Sequence, residues 1–283
     1  MVIIQREIIV IQESPCLSPY HFSASSSSTL PPIASSLLAN ELVERALQKS
    51  PYIPYVLRYA AKFYRKEKEI DKSIELLEKA LKYTPHSAFL HHQIGLCCRE
   101  KLLSINRHSG NLADDKKAEL ISQCKYWFEQ TFKIKPSFII ARLDFAGTCL
   151  INGEIQRAKE IYKHLLGLEN IASDKRQAIV FQAGLFELYY NKSESNAIDY
   201  FLEGLKIQLG SKQWRLCYDK LEMIATRQIH RNPRDSVAYG KLGLMHQLAG
   251  KNYKAIELFE KALTFDPGNE DYLSALCKLR FSI

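Results

Sequence analysis

The stretch from Ser236 to Pro267, SVAYGKLGLMHQLAGKNYKAIELFEKALTFDP, constrains the fold more than any other part of the chain. Residues of fixed character recur in it at fixed offsets: Tyr239, Leu242, Gly243, Gly250, Ala255, Phe259, Ala262 and Pro267. Gly243 allows two helices to approach closely, and Phe259 fills the space between them. Gly250 makes the turn, and Pro267 ends the second helix because it has no N–H to donate. The pattern predicts a helix–turn–helix unit.

These offsets are those of the tetratricopeptide repeat, a unit of roughly 34 residues that stacks on similar units. Earlier segments repeat the pattern with varying fidelity: 54–87, a unit that begins near 88, 139–170 and 175–208. Residues 212–231 are predicted to form a bridging helix, and residues 269–281 a helix that covers the end of the stack. The sequence therefore predicts an all-α fold, a tetratricopeptide-repeat superhelix (an α–α solenoid) of about five helix pairs.

Two segments depart from the pattern. The stretch SINRHSGNLADDKK (104–117) delays the second helix of the second repeat, and its polar, glycine-containing composition predicts an inserted loop. Residues 1–35 are rich in Ser and Pro and lack helical periodicity, so we expect them to be disordered and outside the repeat domain. The repeat domain is predicted to occupy residues 36–283, with a first helix at 36–49.

Charge and cysteine content restrict the function and the compartment. A net charge of +8 suits an anionic partner, nucleic acid first, although a solvated lysine-rich surface gives the same excess. Seven cysteines, an odd number without a C-x-x-C pair, favour a reducing compartment. The sequence has no apolar run near the roughly 18 residues that cross a bilayer and no signal-peptide pattern. We expect a cytoplasmic protein without a membrane partner.

The first helix of each pair lines the inner face of such a stack. In the first repeat this helix carries Tyr55, Arg58, Tyr59 and Arg65, and the three- and four-residue spacings put the first three on one helix face. Rings stack on bases and cations neutralise phosphates, so the set suits a single-stranded nucleic acid. The alternative is that Tyr59 packs against the neighbouring repeat while the cations only face water.

The second repeat favours the binding interpretation. Its corresponding positions include Phe89, His92 and Gln93, which are again aromatic and polar. A single histidine such as His92 is more often a satisfied structural residue, but its neighbours indicate a contact surface. The third repeat instead carries an apolar stripe at the corresponding positions, Ile140, Leu143, Gly147 and Leu150. We interpret this stripe as core, and a partner-binding surface is the alternative.

No signature of catalysis is found in the sequence. The Walker phosphate loop, H-E-x-x-H and G-x-S-x-G are all missing. His91 and His92 are adjacent, so they point to different sides of a helix and cannot ligate one metal ion. We therefore predict no enzyme activity, no metal and no cofactor.

Four segments resemble one known family, the interferon-induced proteins with tetratricopeptide repeats. They are PYVLRYAAKFYRK (54–66), LHHQIGLC (90–97), KSESNAIDYFLEGLK (192–206) and LSALCKLRFSI (273–283). The last is most similar to the member that binds 5′-triphosphate RNA as a monomer. The resemblance covers residues 36–283, as the C-terminal half of the family's chain. It implies a cytoplasmic antiviral effector that sequesters single-stranded RNA with a foreign 5′ end, a triphosphate or a cap without ribose methylation.

The resemblance also implies site residues. By motif, Tyr55, Arg58, Tyr59 and Arg65 match the family's RNA-contacting first helix, and Phe89, His92 and Gln93 match the contacts of the next repeat. The family's N-terminal half, which supplies much of the phosphate pocket, has no counterpart in residues 1–35. We therefore expect weak, salt-sensitive RNA binding with reduced 5′-end selectivity.

Two classes of partner follow. The first is single-stranded RNA, with other members of the family as further partners. The second is protein alone, since most tetratricopeptide arrays are protein–protein scaffolds. One scaffold subtype, which clamps the C-terminal carboxylate of chaperones with Lys and Asn, is disfavoured because Arg58 and Lys62 occupy those positions.

Overall fold

Every described element of this computed structural model is an α-helix. The backbone is described for residues 32–108 and 114–281, and the side chains for residues 37–105 and 115–281. Within these ranges thirteen helices follow one another: α1 Pro32–Lys49, α2 Pro54–Lys66, α3 Ile70–Tyr83, α4 Ala88–His108, α5 Asp114–Ile134, α6 Ile139–Ile151, α7 Ile155–Leu166, α8 Ser173–Tyr189, α9 Glu194–Ile207, α10 Lys212–Arg231, α11 Ser236–Leu248, α12 Asn252–Phe265 and α13 Glu270–Arg280. The predicted all-α repeat fold is confirmed.

The helices belong to two compact units, Met1–Glu154 and Ile155–Ile283. The first unit contains α1 to α6 and pairs α2 with α3 and α4 with α5. Its core joins these pairs through buried apolar side chains, among them Leu57, Leu77, Ile94, Cys97 and Cys124. Burying such side chains is the main stabilising contribution to a repeat, because each helix pair has an apolar face that it cannot cover alone.

Helix α1 is fastened to the first pair by a polar network. The Tyr64 hydroxyl donates a hydrogen bond to Glu44 at 2.5 Å, and the Lys72 ammonium donates to the same carboxylate at 2.7 Å. These bonds lower the pKa of Glu44, and hydrogen bonds to Glu44 and Tyr64 raise the pKa of Lys72. One carboxylate on α1 thus connects α2 and α3.

The second unit contains α7 to α13 and pairs α8 with α9 and α11 with α12. A helix, α10, occupies the residues predicted for the bridging helix. The hydroxyl of Ser211 caps it by accepting a hydrogen bond from the Trp214 N–H. Helix α13 packs Leu276 and Leu279 onto the α12 side chains of Ala255 and Phe259.

Glycine positions explain how the pairs pack so closely. A Cβ added at Gly184 would lie 2.6 Å from the ring of Phe201, and one added at Gly243 would lie 3.1 Å from the ring of Phe259. Each phenylalanine therefore occupies the space that a side chain would need. Gly250 adopts a φ of 70°, the left-handed conformation that the predicted turn requires.

Three boundaries differ from the prediction. Helix α1 begins at Pro32 rather than at residue 36, and residues 1–31, where the rest of the disorder prediction falls, lie outside the described residues. The loop predicted at 104–117 is too long: α4 continues to His108 and α5 begins at Asp114, and residues 109–113 lie outside the described residues. Adding residues to an existing helix costs little, so part of the insertion lengthens both helices. The third predicted repeat falls across the boundary between the two units.

Candidate nucleic-acid interface

Helix α2 has one buried face and one exposed face. Pro54 opens the helix at a position where the missing N–H costs nothing, and Leu57, Ala61 and Tyr64 pack into the core. The i, i+3 and i, i+4 spacings then bring Tyr55, Arg58 and Tyr59 together on another face of the helix. The core-facing residues thereby fix the direction in which these three side chains extend.

The structure brings four of the predicted site residues into one cluster. The Arg58 guanidinium carbon lies 5.3 Å from the ring centroid of Tyr55, 5.1 Å from that of Tyr59 and 5.1 Å from that of Phe89 on α4. The two tyrosine rings are 4.5 Å apart. We call Tyr55, Arg58, Tyr59 and Phe89 the ring–cation cluster. Cation–π attraction, about 0.5–1 kcal/mol per exposed contact, holds the guanidinium among the rings.

The rings of the ring–cation cluster remain accessible. Tyr55 is 61% exposed, Tyr59 46% and Phe89 38%. A hydrogen bond between the phenols raises the pKa of Tyr55 and lowers the pKa of Tyr59, whose anion is also favoured by a hydrogen bond from Arg58. Nearly half of the Tyr59 surface is exposed, so the neighbouring repeat does not cover this side chain completely. Within the described ranges Arg58 has no carboxylate partner, so its charge is available to an anion.

An open groove borders the cluster. Tyr55 and Arg58 form one side of it, and Pro85 and His86, from the loop that precedes α4, form another. Its volume is about 500 Å³, and its lining is more apolar than polar. A ring, a cation and an adjacent apolar groove form a surface on which a flat aromatic group can rest beside an anionic one.

His92 lies beneath this surface rather than on it. Its ring is buried, 5.0 Å from the ring of Phe138 and 5.9 Å from that of Phe128. Its Nε2 lies 2.8 Å from Oδ2 of Asp144 on α6. His92 is therefore a structural histidine with a hydrogen-bond partner in the protein. Its neighbour on α4, Gln93, is half-buried.

Arg99 completes the buried network. Its Nη1 donates to Oδ1 of Asp144 at 3.2 Å and to the Asp144 main-chain oxygen at 3.4 Å. Burial opposes ionisation of Asp144, but the hydrogen bond from His92 and the charge of Arg99 outweigh it and hold the pKa of the carboxyl below its usual value. The carboxylate on α6 therefore holds two side chains of α4 in place.

Arg65 differs from Arg58 in its surroundings. Its Nε lies 3.8 Å from Oε1 of Glu100, and Lys68 lies 4.0 Å from the other oxygen of the same carboxylate. Part of the Arg65 charge is therefore used within the protein. The structure places Arg65 near α4 but not in the ring–cation cluster.

Two other surfaces are relevant, the apolar stripe of the third repeat and the basic side chains of α10. Of the apolar stripe of the third repeat, Leu143, Gly147 and Leu150 are buried, in agreement with the interpretation as core, and Ile140 is half-buried. On α10, Arg227 and Arg231 both pair with Glu194. In the part of the chain that the structure describes, no group of three metal-ligating side chains occurs, and no helix there has the length and apolarity to span a membrane.

Paired helices with close-packed glycines define a tetratricopeptide-repeat protein, and the family model described as tetratricopeptide repeat matches residues 60–87 and 236–269. The human antiviral innate immune response effector IFIT1 is 34% identical over 78% of this chain and 47% of its own length. Human interferon-induced protein with tetratricopeptide repeats 2 is 36% identical over 79% of this chain and 48% of its own. The chain therefore belongs to the family of interferon-induced proteins with tetratricopeptide repeats.

Solved structures agree with this assignment. The human IFIT1 dimer with PPP-AAAA matches with a TM-score of 0.72 at 32% identity, over 83% of this chain and 52% of that one. The human IFIT1 dimer with m7Gppp-AAAA matches with a TM-score of 0.74 at the same identity and coverage. This chain spans about half the length of the curated relatives that it matches.

Proposed function

We propose that this chain binds single-stranded RNA on the ring–cation cluster and acts as a cytoplasmic antiviral RNA-binding protein that prefers a foreign 5′ end. The observation that carries the proposal is Arg58, held among three accessible rings and without a carboxylate partner in the described ranges. The relative IFIT1, solved with a 5′-triphosphate and with a capped oligonucleotide, supports the ligand class.

The geometry supports a division of roles. Tyr55 and Tyr59 offer ring faces to bases, and each stacked base contributes about 1–3 kcal/mol. Arg58 offers a planar cation to the phosphate between them, and the rings keep it oriented, so that little side-chain entropy is lost on binding. Phe89 supports Arg58 from α4. Free thiols at Cys97, Cys98, Cys124, Cys149, Cys217 and Cys277 are consistent with the reducing compartment that the proposal requires.

Binding titrations test the proposal. Triphosphorylated, capped and 5′-hydroxyl oligonucleotides of one sequence would be titrated at two salt concentrations into the parent chain, Arg58→Ala and Tyr59→Ala. We expect each substitution to weaken binding about tenfold or more. We expect the triphosphorylated and capped forms to bind more tightly than the 5′-hydroxyl form.

The chain offers matched controls on α3. Tyr83 is 48% exposed, close to the 46% of Tyr59. Like Arg58, Lys79 is a cation beside a ring, because its ammonium lies 5.3 Å from the ring centroid of Tyr52. Tyr83→Ala and Lys79→Ala should therefore leave RNA affinity within about twofold. If Arg58→Ala and Tyr59→Ala bind RNA like the parent, the site is misassigned. If no RNA binds and proteins co-purify after nuclease treatment, the chain is a scaffold.

A further inference from the structure

The turn between α2 and α3 holds a lysine in a backbone conformation that favours glycine. Lys68 has a φ of 68°, and the turns after α6 and α11 have Gly153 and Gly250 at φ values of 81° and 70°. The same pair of hydrogen bonds closes all three turns. The residue with positive φ donates to the carbonyl three residues earlier, and the next residue donates to the carbonyl five residues earlier. Lys68 therefore occupies the glycine position of this turn.

A lysine at this position strains the turn. In the left-handed region the Cβ atom comes too close to a backbone carbonyl oxygen, and glycine avoids this contact because it has no Cβ. Strain that persists where equivalent turns of the same chain use glycine points to a role for the side chain. The side chain of Lys68 is exposed, and its ammonium faces Glu100 on α4.

Glu100 lies between two cations. Its Oε1 is 3.8 Å from Nε of Arg65, and its Oε2 is 4.0 Å from Nζ of Lys68. Two positive charges and one negative charge give this set of three a net charge of +1. Without Lys68, Arg65 and Glu100 would form a pair with no net charge, which attracts an anion much less strongly.

We propose that Lys68 is a positioning residue for RNA binding: it takes up part of the Glu100 charge, so that Arg65 can bind a phosphate. This inference rests on the proposed RNA binding and extends the site from the ring–cation cluster to the α2–α3 turn. Arg65 follows Arg58 by seven residues. Seven residues are two helical turns, so the two arginines lie on one side of α2, about 10 Å apart along its axis. One strand can therefore contact both.

Two substitutions separate the side chain from the backbone. Lys68→Gly removes the ammonium and the strain, whereas Lys68→Ala removes the ammonium and keeps the strain. We expect both to weaken the binding of a 5′-triphosphorylated single-stranded oligonucleotide about fivefold, because Arg65 is drawn toward Glu100. Both should also reduce the slope of log affinity against log salt by about 0.7, the value for one phosphate contact.

The stability of the two variants should differ. Trp127 lies in the first unit, so its fluorescence in a Trp214→Phe background follows urea unfolding of that unit. In about 0.5 M salt, where surface ion pairs are screened, Lys68→Gly should raise the urea midpoint by about 0.3–0.5 M, and Lys68→Ala should not. A variant that is more stable and yet binds RNA more weakly cannot be explained by damage to the fold. A lower midpoint in Lys68→Gly would overturn the strain argument.

Lys192 provides the matched control. It is exposed in the second unit, and its φ is 59°. Lys192→Gly therefore removes the same charge and the same kind of strain away from the proposed site. It should leave RNA affinity within about twofold of the parent and the salt slope unchanged. An equal loss of affinity in Lys192→Gly would overturn the proposal, because the loss would then follow net charge alone.

Glu100→Gln tests the route by which Lys68 acts. The amide has no charge for Lys68 to take up. In a Glu100→Gln background, Lys68→Gly should therefore weaken binding no more than Lys192→Gly does. If the fivefold loss persists in that background, Lys68 contacts the RNA directly and the positioning role is wrong.

The outcomes also separate this inference from the proposed function. If RNA binding depends on Arg58 and Tyr59 but both Lys68 variants bind like the parent, the role of Lys68 is wrong and the RNA site stands. If the parent chain binds no RNA, the proposed function fails and the role of Lys68 fails with it.

Discussion

Removal of the Asp144 carboxylate should destabilise the first unit strongly. Arg99, with a side chain only 7% exposed, would keep just its 3.4 Å bond to the main-chain oxygen of residue 144, since its Nε already lacks a partner in the described ranges. Leaving one member of a buried ion pair uncompensated costs about 3–5 kcal/mol. Asp144 is 19% exposed, so water can reach the gap and reduce this cost. We expect Asp144→Ala to lower the free energy of unfolding by about 3 kcal/mol.

The tryptophans allow this loss to be assigned to the correct unit. Trp127 belongs to α5 in the first unit and Trp214 to α10 in the second. In a Trp214→Phe background, urea unfolding followed by fluorescence at pH 7 therefore reports on the first unit. Asp71→Ala is the control, because the ion pair between Asp71 and Lys101 is at the surface and should contribute less than about 1 kcal/mol.

Asp144→Asn distinguishes the ion pair from mere packing. Asparagine keeps the shape of the side chain and an acceptor for Arg99 but removes the charge. The free energy of unfolding of Asp144→Asn should therefore lie between those of the parent and of Asp144→Ala. The reasoning would be refuted if Asp144→Ala cost less than about 1 kcal/mol, because the guanidinium would then be satisfied without the carboxylate. It would equally be refuted if the loss appeared only in the signal of the second unit.

Three further predictions concern the ionisation of Asp144, the packing at Gly184 and the salt dependence of RNA binding. Because the pKa of Asp144 is depressed in the folded chain, its contribution is complete above about pH 4 and is lost as the pH falls through the folded pKa; unfolding of Asp144→Asn should show a shallower acid dependence than the parent. Gly184→Ala should lower the stability of the second unit by about 1–3 kcal/mol in thermal unfolding, whereas Gly268→Ala, with open space around the added Cβ, should not. Arg58→Ala should reduce the slope of log affinity against log salt by about 0.7, and Tyr59→Ala should weaken binding without changing the slope; equal slopes for both would exclude a phosphate contact by Arg58.

The fold was largely predictable because its determinants are local. Gly243, Phe259 and Pro267 act at fixed offsets within one helix pair, and the same offsets occur in earlier repeats. The extent of the loop in the insertion was mispredicted because it was inferred from composition. Its polar residues were interpreted from composition, but the helices on either side extend into it, and helix extension depends on neighbouring turns rather than on hydrophobic content.

In the candidate site, the residues that spacing along a helix or a corresponding repeat position defines could be predicted. Tyr55, Arg58 and Tyr59 follow from the spacing along α2, and Phe89 from the corresponding position on α4. Asp144 could not be found in this way, because its role depends on where α6 packs against α4. The sequence shows it between Leu143 and Phe145, two buried residues, and nothing in that pattern indicates a charged partner for His92.

The arginines of α2 and α4 illustrate why charge and position alone do not rank the residues of such a surface. Arg58 and Arg65 lie on α2 and Arg99 on α4, and the surroundings of the three side chains differ. Arg99 is buried against a carboxylate, and Arg65 shares Glu100 with Lys68. Arg58 lies over three aromatic rings and has no carboxylate partner in the described ranges. A ring orients a guanidinium without neutralising it, whereas a carboxylate does both. Of the three, Arg58 is therefore the cation that a phosphate can reach without displacing a partner, and the affinity for a polyanion should depend on it first.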